Sequence, residues 1–222
     1  MKKFLSISLT TLFAIAVFFF IITFSIGLPI YCRFFYYLQI KPLGLTESTG
    51  YDYNTIKTAY DQVLNYLTLP NTTFSTGVFK HSISGASHFA DCKVLFDINL
   101  TVLVLSSTII VALIILSKYG VVKLCRPFGF SSAFFSAVSV FAVILILIVV
   151  VSIDFDSAFI VFHKIFFAGK DNWTFNSSVD EIIKILPQEF FMSCAIFIGI
   201  GVVTISLGII IFQIINKKRQ NN

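Results

Sequence analysis

The sequence predicts an all-α integral membrane protein with four transmembrane helices and two extracytoplasmic loops that carry short interfacial helices. The first observation is composition: 57% of the residues are hydrophobic, 12% are charged and the mean hydropathy is +0.91, a balance outside the range of soluble domains. The second is that four uncharged apolar segments are each long enough to cross about 30 Å of hydrocarbon. They cover about residues 4–31, 98–116, 130–153 and 190–215.

The distribution of charge predicts the orientation in the membrane. Eight of the sixteen basic residues lie near the two termini and in the short segment 117–127, whereas all eleven acidic residues lie in the loops at about 32–97 and 154–189. Short basic segments stay in the cytoplasm, so both termini are expected inside and both long loops outside. The net charge of +5 therefore reflects topology, and no basic groove with stacking aromatic residues indicates nucleic-acid binding.

The first apolar segment is predicted to be an anchor helix, because it is longer than the h-region of about 7–15 residues in a signal peptide. It is followed by an aromatic run in which Arg33 is expected to lie at the headgroup layer, with binding of a lipid phosphate as the alternative. Residues 53–67 then predict an amphipathic helix, because apolar residues recur at helical spacing. These residues are Ile56, Ala59, Tyr60, Val63, Leu64 and Leu67.

The segment 87–96 joins the first long loop to the second apolar segment. Ser87 is predicted to be the N-cap of this helix, since a serine hydroxyl accepts hydrogen bonds from first-turn N–H groups. His88, Asp91 and Cys92 would then share one helix face, where the carboxylate could orient the imidazole. The sequence thus places an ionisable cluster at the rim of the hydrocarbon.

The second long loop carries the other candidate residues. Asp156 is predicted to cap a helix over residues 157–168, which holds His163 among phenylalanines. Ser178 is predicted to begin a capping box for a helix over residues 179–186. His88 and His163 both lie next to the ends of apolar segments and could therefore meet. No boundary or repeat divides the chain, so one membrane domain is expected over residues 1–222.

Several kinds of chemistry fit these residues. The apolar segments contain no charge, which argues against a transporter. Two histidines can exchange protons as acid and base. Cys92 could instead carry an acyl group as a thioester. His88, Asp91 and His163 are also of residue types that bind metals, although their spacing is weak support for a metal site. Both histidines could also be interfacial anchors. Cys32 and Cys92 lie near the same surface, so a disulfide between them is an open possibility.

Three motifs resemble signatures of one family of small bacterial four-span membrane proteins. They are His88-Phe89-x-Asp91-x-Lys93-x-Leu95-Phe96, Phe162-His163-Lys164-Ile165-Phe166-Phe167, and Asn172-Trp173-x-Phe175 followed by Asp180-x-Ile182-Ile183-x-Ile185-Leu186-Pro187-x-x-Phe190-Phe191. This is the lipoprotein intramolecular transacylase (Lit) family, and the resemblance extends over the whole chain in span order and loop length. The chain departs from the family pattern at Cys92, where the family usually has a small aliphatic residue, and this argues against an obligatory thioester.

The resemblance implies an acyltransferase of the bacterial cell membrane, found in Gram-positive bacteria. It would move the sn-2 acyl chain of a lipoprotein's diacylglyceryl-cysteine onto the α-amine of that cysteine, giving the lyso form without a cofactor or an external acyl donor. The implied partners are diacylated lipoproteins and membrane lipid, and a monomer is favoured.

The same resemblance implies the site residues. His88 and His163 would be the catalytic pair, one as base and one as acid, with Asp91 orienting His88. The sequence does not decide which histidine has which role. Either Asp156 or Asp180 would orient His163, and no metal-binding residue is expected. The expected substrate-binding residues are Trp173, Phe162, Phe166, Arg33, Asp156 and Asp180.

Two other functions remain open at this point. The chain could be a non-enzymatic tetraspan adaptor or lipid-binding protein, which would tolerate replacement of both histidines. It could also be a metal-dependent lipid hydrolase acting on the outer leaflet, which a chelator would silence.

Overall fold

The computed structural model describes residues 2–221, and in these residues the chain forms eight α-helices and no strand. The helices α1, α5, α6 and α8 are each long and apolar enough to cross a membrane, which confirms the predicted four-span, all-α class. The eight helices are α1 (Lys2–Tyr31), α2 (Arg33–Tyr37), α3 (Leu45–Thr49), α4 (Tyr53–Thr68), α5 (Ile83–Lys118), α6 (Ser132–Ile153), α7 (Phe155–Phe166) and α8 (Gln188–Asn221).

Contacts between residues divide the chain into two compact units. The bundle unit consists of the chain up to Gly27, Asn99–Val149 and the chain from Ile198 onward. The histidine unit consists of Leu28–Ile98 and Val150–Phe197. A single domain over residues 1–222 stays a prediction.

The bundle unit is held together by apolar packing and by hydrogen bonds between helices. Ser136 donates its hydroxyl hydrogen to the carbonyl oxygen of Ala14 at 2.7 Å, and the Asn99 side chain donates to the carbonyl oxygen of Thr23 at 3.2 Å. Such contacts let polar side chains remain inside an apolar bundle. The buried core of this unit consists of Phe13, Val17, Ile21, Leu113, Ala137, Val140 and Val202.

The histidine unit has a core to which α4 contributes one whole face. Asp52 caps α4, because its carboxylate accepts from the backbone N–H groups of Asn54 at 2.8 Å and Thr55 at 3.2 Å. The six apolar residues expected to form one face are all buried, which confirms the amphipathic helix.

Tyr36 is a fully buried residue of this core. Its ring stacks on Tyr60 at 3.6 Å between centroids, and its hydroxyl donates to the carbonyl oxygen of Ile185 at 2.8 Å. Burial, reinforced by the neighbouring Tyr60, raises the pKa of the Tyr36 phenol well above its ordinary value. The hydroxyl is therefore a permanent donor that joins α2 to the segment before α8.

Helix α5 begins earlier than the sequence predicts. It starts at Ile83, where Ser82 accepts a hydrogen bond from the backbone N–H of Gly85 at 2.9 Å, so Ser87 lies inside the helix and is not its N-cap. A serine five positions earlier offers the same capping chemistry, and the backbone N–H of Ser82 also donates to the Asp180 carboxylate at 2.7 Å. His88 consequently lies in the second turn of a continuous helix.

Two more predicted caps are wrong. Helix α7 is capped by Asp154, which accepts from the N–H of Ser157 at 3.0 Å, and the Asp156 carboxylate instead accepts a hydrogen bond from Gln188. The predicted capping box at Ser178 is absent, because residues Glu181–Ile185 form a 3₁₀ turn after Asp180.

Candidate active site

Two buried histidines from separate helices face each other in the histidine unit. His88 of α5 and His163 of α7 are 5% and 8% exposed, and their ring centroids are 5.9 Å apart with an angle of 29° between the planes. At this separation both imidazoles can contact one small polar group that is bound beside them. The structure therefore brings together the two histidines that the sequence singled out.

The hydrogen bond of His163 defines its protonation pattern. Its Nδ1 lies 2.8 Å from the carbonyl oxygen of Phe159, one turn earlier on α7. A carbonyl oxygen only accepts, so Nδ1 carries the hydrogen in this contact and, in the neutral ring, Nε2 has the free lone pair. His163 can therefore act as a base through Nε2.

His88 has a different kind of partner. Its Nε2 lies 3.4 Å from Sγ of Cys92, one turn later on α5. Its Nδ1 is buried and has no hydrogen-bond partner among the residues that the structure describes. An unpartnered buried nitrogen is rare in folded proteins, and a catalytic or ligand-binding role is one reason for which such a group is retained.

Aromatic rings surround the pair. Phe167 and Phe175 lie 4.7 and 5.4 Å from the His88 ring, and Trp173 lies 5.0 Å from the His163 ring, all between centroids. Among the residues expected to hold acyl chains, Phe162 and Phe166 are about half exposed and are 4.6 Å apart. The site thus has an apolar lining and an exposed apolar edge, which suits acyl chains.

Phe167 and Phe175 were not predicted as site residues. The sequence could have indicated Phe167, because it follows His163 by four residues and so lies on the same helical face. Phe175 belongs to the motif that contains Trp173, but nothing in that spacing shows that its ring contacts His88.

Asp91 is held by the loop that follows α7. Its carboxylate forms an ion pair with Lys170 and accepts from the Asn172 side chain at 2.9 Å, while His88 contacts Cys92. Any action of Asp91 on His88 is therefore through-space electrostatics or positioning of this loop, since its hydrogen bonds go elsewhere.

The other polar candidates are engaged away from the histidine pair. Asp180 is buried and accepts from the backbone N–H of Ser82. Asp156 accepts from the side chain of Gln188. Neither carboxylate is hydrogen-bonded to His163, because Nδ1 of that ring contacts the carbonyl oxygen of Phe159. Arg33 binds Asp61 at 3.1 Å and Asn65 at 2.6 Å. The roles of Arg33, Asp156 and Asp180 in substrate binding stay predictions, since these contacts do not involve the two histidines.

Metal-binding and disulfide geometry are not found in the described part of the chain. Across residues 2–221, no three histidine, cysteine or acidic side chains are grouped so that they could hold a metal ion. The four cysteines are free thiols, so Cys32 and Cys92 do not pair.

Comparison with known proteins extends these observations. The family model described as "Lipoprotein intramolecular transacylase Lit" matches residues 11–191, which confirms the resemblance indicated by the motifs. The solved structure of the membrane-integral lipoprotein intramolecular transacylase Lit from Bacillus cereus is similar, with a TM-score of 0.87, 23% identity and coverage of 100% of both chains. The same Bacillus cereus protein with a histidine-to-arginine substitution gives a TM-score of 0.79 and 22% identity, over 100% of this chain and 96% of that chain. No curated protein matches the chain.

Proposed function

The chain belongs to the family of lipoprotein intramolecular transacylases, and from this premise we propose that it moves the sn-2 acyl chain of a diacylglyceryl-cysteine onto the α-amine of the same residue. The ester C–O bond breaks, an amide C–N bond forms, and one proton moves from nitrogen to the glycerol oxygen. An amide is more stable than an ester, so the exchange needs neither ATP nor an acyl donor. The product is a lyso-form lipoprotein.

The buried pair His88 and His163 carries this proposal. The reaction needs a base for the amine, a group that stabilises the oxyanion of the tetrahedral intermediate, and a proton for the leaving oxygen. Between them the rings offer a lone pair, at Nε2 of His163, and an unpartnered nitrogen, at Nδ1 of His88. Burial among aromatic rings keeps water away from the acyl group, which favours transfer over hydrolysis.

The exposed rings of Phe162 and Phe166, with Trp173, support the assignment of this edge to acyl chains. They present apolar surface next to His163, at 5.5 and 5.0 Å for Phe162 and Trp173 between centroids. A diacylated substrate could place its glycerol beside the two histidines while its chains remain on apolar surface. Asp91, through Lys170 and Asn172, would hold the loop that carries Trp173.

We also propose the location of the reaction. The protein is a multi-pass membrane protein, and the concentration of basic residues in the short segments supports cytoplasmic termini. The histidine unit would then act at the outer leaflet, where diacylated lipoproteins are anchored. The substrate and enzyme are both membrane-bound, and a monomer suffices for an intramolecular transfer.

The test is to express the chain in a host that makes only diacylglyceryl lipoproteins with a free amine. The N-terminal lipopeptide of one lipoprotein is then fragmented in a mass spectrometer. Substrate and product are isomers, so the fragments must locate the acyl chain on nitrogen. We expect N-acylation with the native chain and none with His88→Ala or His163→Ala.

His81→Ala is the matched control, because His81 is an exposed histidine of the same unit and contacts Thr76. It should leave the transfer intact. Lipopeptides that keep both chains on glycerol, in membranes shown to contain the protein, would exclude this reaction and favour an adaptor. Loss of one acyl chain, with a lower mass, would indicate a hydrolase instead.

A further inference from the structure

The thiol of Cys92 lies against the candidate catalytic ring of His88. Resting on the function proposed above, we propose that Cys92 is a positioning residue whose S–H donates to Nε2 of His88. The neutral imidazole then carries its hydrogen on Nδ1, where it serves as the donor to the oxyanion of the tetrahedral intermediate. The chemical partner of this N–H is therefore the carbonyl oxygen of the ester.

The first step of the argument is the direction of the hydrogen bond. Sγ of Cys92 and Nε2 of His88 are 3.4 Å apart, within the range for a sulfur contact, and the two residues are one turn apart on α5. A thiol is a weak donor and a weak acceptor, whereas an imidazole lone pair is a strong acceptor. The contact is therefore best made with the thiol hydrogen pointing to Nε2.

The second step is the charge state of the ring. His88 is 5% exposed and is surrounded by the rings of Phe89, Phe167 and Phe175. Taking a charge out of water into such surroundings is unfavourable unless it is paired, and the nearest carboxylate, Asp91, is bound by Lys170 and Asn172. A neutral ring has one N–H, so acceptance at Nε2 leaves that hydrogen on Nδ1.

The third step is the nitrogen itself. Nδ1 of His88 is buried and has no partner among the described residues, although a buried donor without a partner destabilises a folded protein. Such a group is retained where a ligand supplies the missing acceptor. A donor fixed in advance stabilises developing negative charge without reorganisation.

The fourth step is the complementarity of the two rings. The carbonyl oxygen of Phe159 fixes the hydrogen of His163 on Nδ1, so its Nε2 offers a lone pair. His163 then takes the amine proton as the C–N bond forms and returns it to the glycerol oxygen as the C–O bond breaks. His88 keeps its own proton throughout, and no net proton is gained or lost.

The experiment compares Cys92→Ala with Cys92→Ser, which differ by one hydroxyl. Membranes or detergent micelles with ¹⁵N-histidine-labelled protein give separate resonances for protonated and unprotonated ring nitrogens, and His88→Ala assigns those of His88. We expect the native chain and Cys92→Ser to hold the Nδ1–H form. Cys92→Ala should lose that preference, with a transfer rate lower by about five- to tenfold, the value of one ordinary hydrogen bond.

Cys32→Ala, which removes an exposed cysteine of the same unit, is the control and should leave both readouts unchanged. An Nε2–H form in the native chain, or a full rate with Cys92→Ala, overturns the proposal. An equal loss with Cys92→Ala and Cys92→Ser overturns it in favour of packing. Complete inactivity of Cys92→Ala, equal to that of His88→Ala, overturns it in favour of a thioester intermediate.

These outcomes are separable from the fate of the proposed function. If His88→Ala retains N-acylation, the assignment of the catalytic pair fails whatever Cys92 does. If His88→Ala is inactive and Cys92→Ala behaves as the native chain, only the role of the thiol fails.

Discussion

The two histidines of the candidate site, His88 and His163, have different hydrogen-bond partners. The partner of His163 is a backbone carbonyl, which cannot be mutated away and can only accept, whereas the partner of His88 is a thiol, which both donates and accepts. The chemistry of His163 is thus determined by helix geometry. That of His88 depends on a neighbouring side chain, so it can be changed without touching the histidine.

Lys170 offers a test of how the loop after α7 supports the site. Its ammonium group pairs with Asp91, and its backbone carbonyl oxygen accepts from the Trp173 indole N–H at 3.0 Å. Lys170→Ala should free the Asp91 carboxylate and loosen the loop. We expect the transfer rate to fall by about twofold to fivefold, since a partly exposed pair contributes up to about 1 kcal/mol.

The control for this change is Lys164→Ala, which removes an exposed lysine from α7. It should transfer at the native rate, and Lys170→Arg should keep most of it because the ion pair can be remade. A native rate for Lys170→Ala would show that the Asp91 pair is not needed for catalysis. Rates are measured as N-acylated lipopeptide formed per time.

At the scale of residues, helical spacing predicted that His88, Asp91 and Cys92 share a face. It could not predict which of the two neighbours contacts the ring, because positions three and four residues away are both within reach. The choice depends on Lys170 and Asn172, which lie 79 and 81 positions further along the chain and bind Asp91. Contacts at that sequence distance leave no local pattern.

Among the elements, the short helix α2 depends on one buried phenol. Tyr36→Phe removes the hydrogen bond to the carbonyl oxygen of Ile185 and leaves that acceptor buried. We expect the free energy of unfolding to fall by about 1–2 kcal/mol, measured by denaturant titration in detergent.

The matched variant is Tyr53→Phe, whose hydroxyl lies 3.4 Å from the carbonyl oxygen of Tyr37 in a half-buried position. A long, partly solvated hydrogen bond contributes little, so this change should be nearly neutral. Equal effects of the two substitutions would mean that the buried hydrogen bond of Tyr36 is not what stabilises α2.

Helix faces were easier to predict than helix ends. The apolar face of α4 follows from a periodicity of many residues, and burial of the whole face confirms it. Each cap depends on a single side chain. Ser82 rather than Ser87 caps α5, and Asp154 rather than Asp156 caps α7. Neighbouring serines or aspartates have equal capping ability, and the contact of Ser82 with Asp180 lies outside any local window.

On the scale of the whole molecule, the orientation in the membrane can be tested through two cysteines. In variants that retain one cysteine, an impermeant maleimide should label Cys32 in intact cells and Cys125 only after permeabilisation. Cys32 is exposed and Cys125 is half-buried. Hydrogen bonding with Ser6 lowers the pKa of the Cys125 thiol, which favours its reaction with a maleimide. Labelling in the opposite order would place the histidine unit in the cytoplasm.

The class and the number of spans followed from composition and segment length, because hydrocarbon imposes a strict minimum length on each apolar helix. The division into two compact units did not, since it depends on contacts between segments far apart in the chain. The identity of the reaction could be anticipated only through motifs, because two histidines alone fit several chemistries.

The position of Trp173 has an optical consequence. It is the one tryptophan in the chain, and its ring lies 5.0 Å from that of His163. Tryptophan fluorescence of the protein therefore comes from one indole, which lies beside the candidate base His163. A protonated imidazole quenches indole fluorescence, so the emission intensity of the unlabelled protein reports on proton uptake by His163. A bound acyl chain displaces water from the indole ring, so the same emission also reports on substrate binding.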